Sequence, residues 1–344
     1  MAADRWTREL PTFVRVRLRQ HARTMVPASE SSDPQPGPLL LALKAACLRH
    51  MIQELPPDPT ATLRQLDFRS LHQVYAAWRG RVPQARPRRV HISSDLLDNH
   101  DRVAYSDGLV AALGEIAQGN DLRPRTSTAV EHAYTPWTPP LLARGRPGQR
   151  HVDRLLADWG LHHLHLGTTP HPKRPEFLSR TRHVLFVAFK PEDAYLVDVA
   201  EHESDGANWS ALKLLEIVVR NWPDAGILVA STFAVGLTNG NWSDEDRRAL
   251  RRAGISTGAV EIDGKVWSAG GQTVTGEPMH VARHCMGVSW QLSGYEPTEL
   301  RINDELAAMA KKHDVPNEWR AVTHGDEYGF LSSGVFVRYG SLLP

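Results

Sequence analysis

Apolar and basic side chains alternate over residues 12–19 (Thr-Phe-Val-Arg-Val-Arg-Leu-Arg), a period of two that predicts a strand. Phe13, Val14, Val16 and Leu18 would then lie near a core and Arg15, Arg17 and Arg19 outward. Arg8, Arg15, Arg19 and Arg23 are also close to helical spacing, so a basic helix competes with that reading. From Leu39 to Leu55 the apolar residues recur at helical intervals, and Pro56-Pro57 stops the helix. A second helix is expected from Thr62 to Trp78, closed by Arg79-Gly80-Arg81-Val82-Pro83. Val90-His91-Ile92 reads as a short strand. Ser106-Asp107 opens a helix that runs to Ala117 and ends on Gly119-Asn120.

Residues 134–149 are rich in proline and glycine and mark the main connection between a helical first part and a mixed second part. His151 to Trp159 then follows a helical period and stops at Gly160. Leu161-His162-His163-Leu164-His165-Leu166 reads as a buried strand, and Thr168 to Thr181 as a polar, proline-rich loop. Val184 to Phe189 is an apolar run typical of a central strand, followed by a Lys190-Pro191-Glu192-Asp193 turn and the strand Tyr195 to Val199. Helices are expected at Trp209 to Asn221 and at Ser243 to Ala253, the latter with Asp244, Glu245 and Asp246 in its first turn. Two hairpins close the pattern, one across Asp263-Gly264 and one across Ser332-Ser333-Gly334. The expected class is α+β (mixed): a helical, basic domain at 1–133, a connection at 134–150, and a larger sheet-containing domain at 151–344.

Composition narrows the setting. With 344 residues, 41% of them hydrophobic and 23% charged, the chain has room for two ordinary cores. Two distant cysteines, Cys47 and Cys285, make neither a disulfide framework nor a CxxC pair, and the first residues lack the apolar run of a signal peptide. The run Leu39–Leu48 is too short to span a bilayer, so a cytoplasmic protein with no membrane partner is expected. The net charge of +1 hides an asymmetry. Residues 1–150 carry 21 Lys+Arg against 14 Asp+Glu, a surplus of 7 that is almost all arginine, whereas the remainder is acidic. Arginine forks suit phosphate and carboxylate, which points to nucleic acid or an acidic protein partner; a solvated surface explains the same bias.

The densest chemistry lies at 162–165. Strand alternation puts His163 and His165 on one face and His162 on the other, where a structural role is expected. His202 follows a strand two along in the same sheet and can approach from its end. Two chemistries suit these residues. In acid–base cleavage of RNA one histidine takes the 2′-hydroxyl proton and another protonates the leaving oxygen, with cations steadying the phosphorane. In metal binding His163, His165 and His202, or a carboxylate such as Asp198, would form an open site for zinc or another divalent ion. The structural alternative is that the imidazoles simply fill a half-buried sheet face.

Over residues 151–222 the helix–strand–strand–strand order, with His163, His165, Arg182 and His202, resembles the compact metal-independent ribonuclease domains of bacterial toxins, the barnase, colicin and EndoU-like group. That resemblance implies RNA phosphodiester cleavage without a cofactor, and a role in growth control or defence. The expected reading is therefore an endoribonuclease with His163, His165, His202 and Arg182 catalytic and Arg15, Arg17, Arg19, Arg180 and Lys190 holding substrate. A ribonuclease of this kind would require a protein inhibitor. Its rivals are a non-enzymatic nucleic-acid or protein interaction module and a metal-dependent enzyme using the same histidines. His280 and His284 are spaced i, i+4 beside Cys285, but the glutamate of an HExxH motif is missing. No GxxxxGK[ST], GxGxxG or GxSxG motif is present, which disfavours nucleotide-triphosphate and serine-hydrolase chemistry.

Overall fold

A computed structural model describes residues 14–17, 37–55, 62–131, 153–202, 210–231, 241–253, 255–257, 259–271, 273, 278–293 and 296–344. The first strand, β1 (Val14–Arg17), precedes α1 (Pro38–Glu54) and α2 (Phe68–Arg79). Pro38 sits in the first turn of α1, where its missing N–H would have had no helical partner. The helix expected from Thr62 begins six residues later. Thr62–Gln65 forms a 3-10 turn, and the carboxylate of Asp67 accepts the Ser70 amide at 2.7 Å, which fixes the start of α2.

Next come β2 (Arg89–Ile92), α3 (Ser94–Asp98), α4 (Asp101–Ala104) and α5 (Ser106–Gln118). As its Gly-Asn ending predicts, α5 stops on Gly119 in the left-handed region. Asp153 caps α6 (Arg154–Trp159) through the Leu156 amide at 3.0 Å, and Gly160 ends it, again left-handed. The histidine strand is β3 (Leu161–His165). The stretch expected as a plain loop holds a small ribbon, β4 (Pro170–His171) with β5 (Arg174–Leu178). The expected strand–turn–strand follows as β6 (His183–Phe189) and β7 (Asp193–Glu201). Then come α7 (Leu212–Asn221), β8 (Val229–Ala230) and α8 (Asp244–Arg252), with a Ser243/Asp246 capping box. The pair β9 (Ala259–Ile262) and β10 (Lys265–Ser268) turns across Asp263-Gly264, both at positive φ. The chain ends with α9 (Met279–Leu292), α10 (Glu296–His313), β11 (Arg320–His324), β12 (Glu327–Ser332) and β13 (Val335–Ser341).

The protein is α+β, and it divides into two compact units, Met1–Ala76 with Arg283–Pro344, and Ala77–Ala282. This grouping cuts across the linear division expected at 134–150, a stretch outside the described residues. The reason is sheet pairing: β1 runs parallel to β13, and β2 runs parallel to β7, so early strands complete late sheets. The unit holding both chain ends has the sheet order β1-β13-β12-β11, with Leu40, Leu43 and Met51 of α1 and Phe330 and Phe336 of the sheet fully buried. In it His72 Nε2 donates to the Leu342 carbonyl at 2.7 Å and His284 Nε2 to that of Ser341 at 3.0 Å. His284 is thus tied to the last strand, and Cys285 is buried.

The other unit is built on the sheet β2-β7-β6-β3. One face packs Leu164, Leu166, Leu185, Val187, Leu196 and Val199 against Leu96 of α3 and Leu109, Ala112 and Ile116 of α5. The other packs Leu161, Val184, Phe186 and Ala188 against Leu155 and Trp159 of α6, Leu215 and Val218 of α7, and Val260 and Trp267 of the β9–β10 hairpin. With apolar layers on both sides β3 and the middles of β6 and β7 are buried, and each fully buried Leu, Val or Phe contributes about 1.5–3 kcal/mol. Gly108 and Gly167 permit the close packing around the end of β3, since a Cβ on Gly108 would stand 1.9 Å from the Leu166 carbonyl oxygen and one on Gly167 2.1 Å from that of Ser179. Among the described residues no helix is long and apolar enough to cross a membrane.

Candidate functional site

Across the sheet the side-chain rows run His163–Phe186–Asp198 and His165–Val184–Ala200. His163 and His165 therefore share the face of Leu161, as the period of two requires. His202 follows the last residue of β7, and its amide donates to the Arg182 carbonyl, so it lies at the sheet end where β3 finishes. A bulge decides its direction. Phe186 pairs with Asp198 but Val187 pairs with Leu196, so Val197 is an extra residue in β7. Plain alternation from Leu196 would send residues 198, 200 and 202 to the α5 side; the bulge turns them to the face of His163 and His165.

The three imidazoles meet. Ring centroids are 6.1 Å apart for His163–His165, 6.2 Å for His163–His202 and 5.6 Å for His165–His202, the last pair stacked. One ring nitrogen of each lies within 4.8 Å of the other two. His163 and His165 are buried and His202 half-buried. Oδ2 of Asp153 stands 3.1 Å from Nδ1 of His163, a contact that orients the ring. Nδ1 of His165 is buried and has no hydrogen-bond partner among the described residues.

Electrostatics follow from this placement. Burial, helped by His163, His202 and Arg180, lowers His165 to about 3, so its imidazole is neutral at ordinary pH. Burial also lowers His202, with His163 and Arg180 acting in the same direction. Asp153 would be pushed up by its burial, but His163 and the Leu156 amide together hold it below the usual carboxylate range. His162, on the opposite face, is lowered to about 4 by burial and sits edge-on to Phe189, as its structural role predicts.

Two groups that the sequence pattern did not single out support the strand. The guanidinium of Arg125, fully buried, donates to both carboxylate oxygens of Glu115 at 2.6 and 2.7 Å and to the His165 carbonyl at 3.1 Å. It anchors the end of β3. The helix expected from His151 begins at Arg154 with Asp153 as its cap, and nothing in the spacing showed that the same carboxylate would reach His163.

The expected substrate cations separate. Arg180 is exposed and electrostatically close to both His165 and His202. Arg182 is instead tied to Glu201 by two bonds of 2.7 and 3.1 Å, with Asp101 as a further acidic neighbour. Its side chain is therefore not placed to be catalytic. Lys190 lies past Ala188, the partner of Leu161 at the far end of β6, and donates to the Gly226 carbonyl at 2.6 Å. Seven residues of strand, about 20 Å, separate it from the His165 end. Arg15 and Arg17 belong to β1 of the other unit, and Arg19 lies outside the described residues. Asp198, considered as a metal ligand, accepts from Asn99 at 2.6 Å and pairs with Lys213 at 3.1 Å. It lines an open cleft of about 720 Å³ in which Arg220 pairs with Asp95 and His183 with Asp101. Comparison with family models, with curated proteins and with solved structures returned no match.

Proposed function

We propose that the protein is a metal-dependent hydrolase in which His163, His165 and His202 bind one divalent transition ion. The observation that carries this reading is the convergence of three imidazole nitrogens within 4.8 Å, one of the residues being His165, whose buried Nδ1 has no hydrogen-bond partner among the described residues. Imidazole ligands favour zinc among the common divalent ions, with copper, iron and nickel as alternatives. A carboxylate on the remote nitrogen of a ligating histidine is the usual supporting contact, and Asp153 occupies that place on His163. Structural zinc sites are closed by four ligands. With the three imidazoles that the described residues offer, an ion held there would keep a position for water or substrate and would supply Lewis acidity, bringing a water's pKa near neutrality.

Metal analysis of the purified protein tests this directly. One zinc-class ion per chain is expected, lost in His163→Ala and His165→Ala, together with hydrolytic activity that a chelator abolishes and zinc restores. RNA cleavage that persists in excess chelator would instead put the same histidines in acid–base roles and sink the metal reading.

A further inference from the structure

We propose that the substrate of this centre is a phosphate ester and that Arg180 holds one of its non-bridging oxygens beside the ion. The inference rests on the metal reading above and goes beyond it to the substrate class. Arg180 projects from a strap pinned alongside the end of β3. The Ser179 amide donates to the Thr169 carbonyl at 2.7 Å, and Thr181 Oγ1 accepts the Leu166 amide at 3.2 Å. Its guanidinium reaches Thr128 Oγ1 at 3.3 Å, in the segment whose Arg125 is bonded to the His165 carbonyl. The cation is thereby held beside the end of β3 that carries His165.

Neighbouring arginines are committed to carboxylates: Arg125 to Glu115, Arg174 to Glu131 and Glu176, Arg182 to Glu201. Arg180 has only a neutral hydroxyl as its hydrogen-bond partner among the described residues. Its planar fork is available to an oxyanion. The charge balance points the same way. Three neutral imidazoles leave the full charge of a divalent ion in place, and Asp153, a carboxylate beside the cluster among the described residues, is engaged by His163 and the Leu156 amide. A centre with a dication and a guanidinium at its mouth selects an anion. A phosphate ester presents two non-bridging oxygens on one reacting atom, one for the ion and one for the guanidinium. The same contacts strengthen as charge develops on those oxygens during attack by water, the step in which a P–O ester bond breaks, the phosphorus gains the water oxygen and the leaving oxygen takes up a proton.

The test uses the full chain loaded with one Co²⁺, whose visible ligand-field band reports on the open position. Inorganic phosphate is titrated into wild type, Arg180→Gln, and Lys173→Gln as a control on the exposed β4–β5 turn. Wild type is expected to respond saturably, Arg180→Gln to bind phosphate about tenfold more weakly with cobalt affinity unchanged, and Lys173→Gln to match wild type. An unchanged phosphate affinity in Arg180→Gln, or no phosphate response in protein that has taken up cobalt, overturns the proposal. Failure to take up cobalt overturns the metal reading as well, so the two failures are distinguishable. Turnover of p-nitrophenyl phosphate against bis-p-nitrophenyl phosphate then separates monoester from diester substrates, and turnover of neither counts against the proposal.

Discussion

The carboxylate of Asp153 does two jobs at once: it accepts the Leu156 amide at 3.0 Å as the cap of α6 and stands 3.1 Å from Nδ1 of His163. The helix start and the orientation of the first ligand are thus one contact. Asparagine at this position keeps an oxygen for the cap but removes the charge. Asp153→Asn is expected to lower metal affinity by about 10–100-fold. Its fold should stay within about 1 kcal/mol of wild type. A competition titration with a chromophoric chelator, read beside a urea melt, separates the two effects. Equal metal affinity in the variant would show that Asp153 is only a cap.

Arg125 makes the second prediction. Its buried fork satisfies Glu115 and the carbonyl of His165, so Arg125→Met strands a carboxylate and a strand carbonyl together. Loss of about 3 kcal/mol is expected, at the low end for a broken buried pair because Glu115 keeps some access to water. Arg125→Met with Glu115→Leu should be more stable than Arg125→Met alone, since no charge is then left unpaired. Urea midpoints decide this; a double variant less stable than the single one would mean that Glu115 has another essential partner.

Much of this was legible in the pattern of residues, and the exceptions have physical causes. Helix ends written by Gly119, Gly160 and Ser243 are local chemistry, as is the Asp263-Gly264 turn, and all four stand where expected. The His163–His165 pair follows from strand alternation, and it lies on one face. His202 joins them only because Val197 bulges, and a bulge is set by cross-strand register that a single strand's sequence does not carry. Asp153 and Arg125 reach the histidine strand through tertiary packing, across sequence gaps of 10 and 40 residues. Arg182 and Lys190 flank the central strand as closely as Arg180 does in sequence, but Glu201 and the Gly226 carbonyl hold them elsewhere. The grouping into two units follows the sheets and not the chain order, because the parallel pairs β1–β13 and β2–β7 join segments far apart in the chain.

Close approach of α5 to the end of β3 makes a steric prediction. Gly108 stands so near Leu166 that an added methyl would meet its carbonyl oxygen at 1.9 Å, and the obstacle is backbone rather than a movable side-chain tip. Gly108→Ala is expected to cost about 3 kcal/mol, the upper end for overpacking, and to shift the strand that carries His165. A lower urea midpoint together with weakened metal binding is the expected pair of results. Wild-type values for both would mean that the helix can move away without cost.

The last prediction concerns acid. His72 is fully buried, and its Nε2 donates to the Leu342 carbonyl at 2.7 Å. Burial lowers it to about 4 from an ordinary value of 6.5, with the nearby His284 adding to the effect and the Leu342 carbonyl opposing it. The folded pKa is the lower one, so as pH falls the unfolded chain takes up the proton first. The stabilisation is therefore complete above pH 6.5, erodes as pH falls, and is exhausted near pH 4. Over that window the loss amounts to about 3 kcal/mol. His165 and His162 shift in the same direction, so the wild-type curve alone does not isolate His72. His72→Gln retains an amide donor for Leu342 and removes the titration. Unfolding free energies of wild type and His72→Gln at pH 7 and pH 4.5 should therefore diverge, with the variant losing less stability in acid; parallel losses would show that His72 protonates without cost in the folded protein.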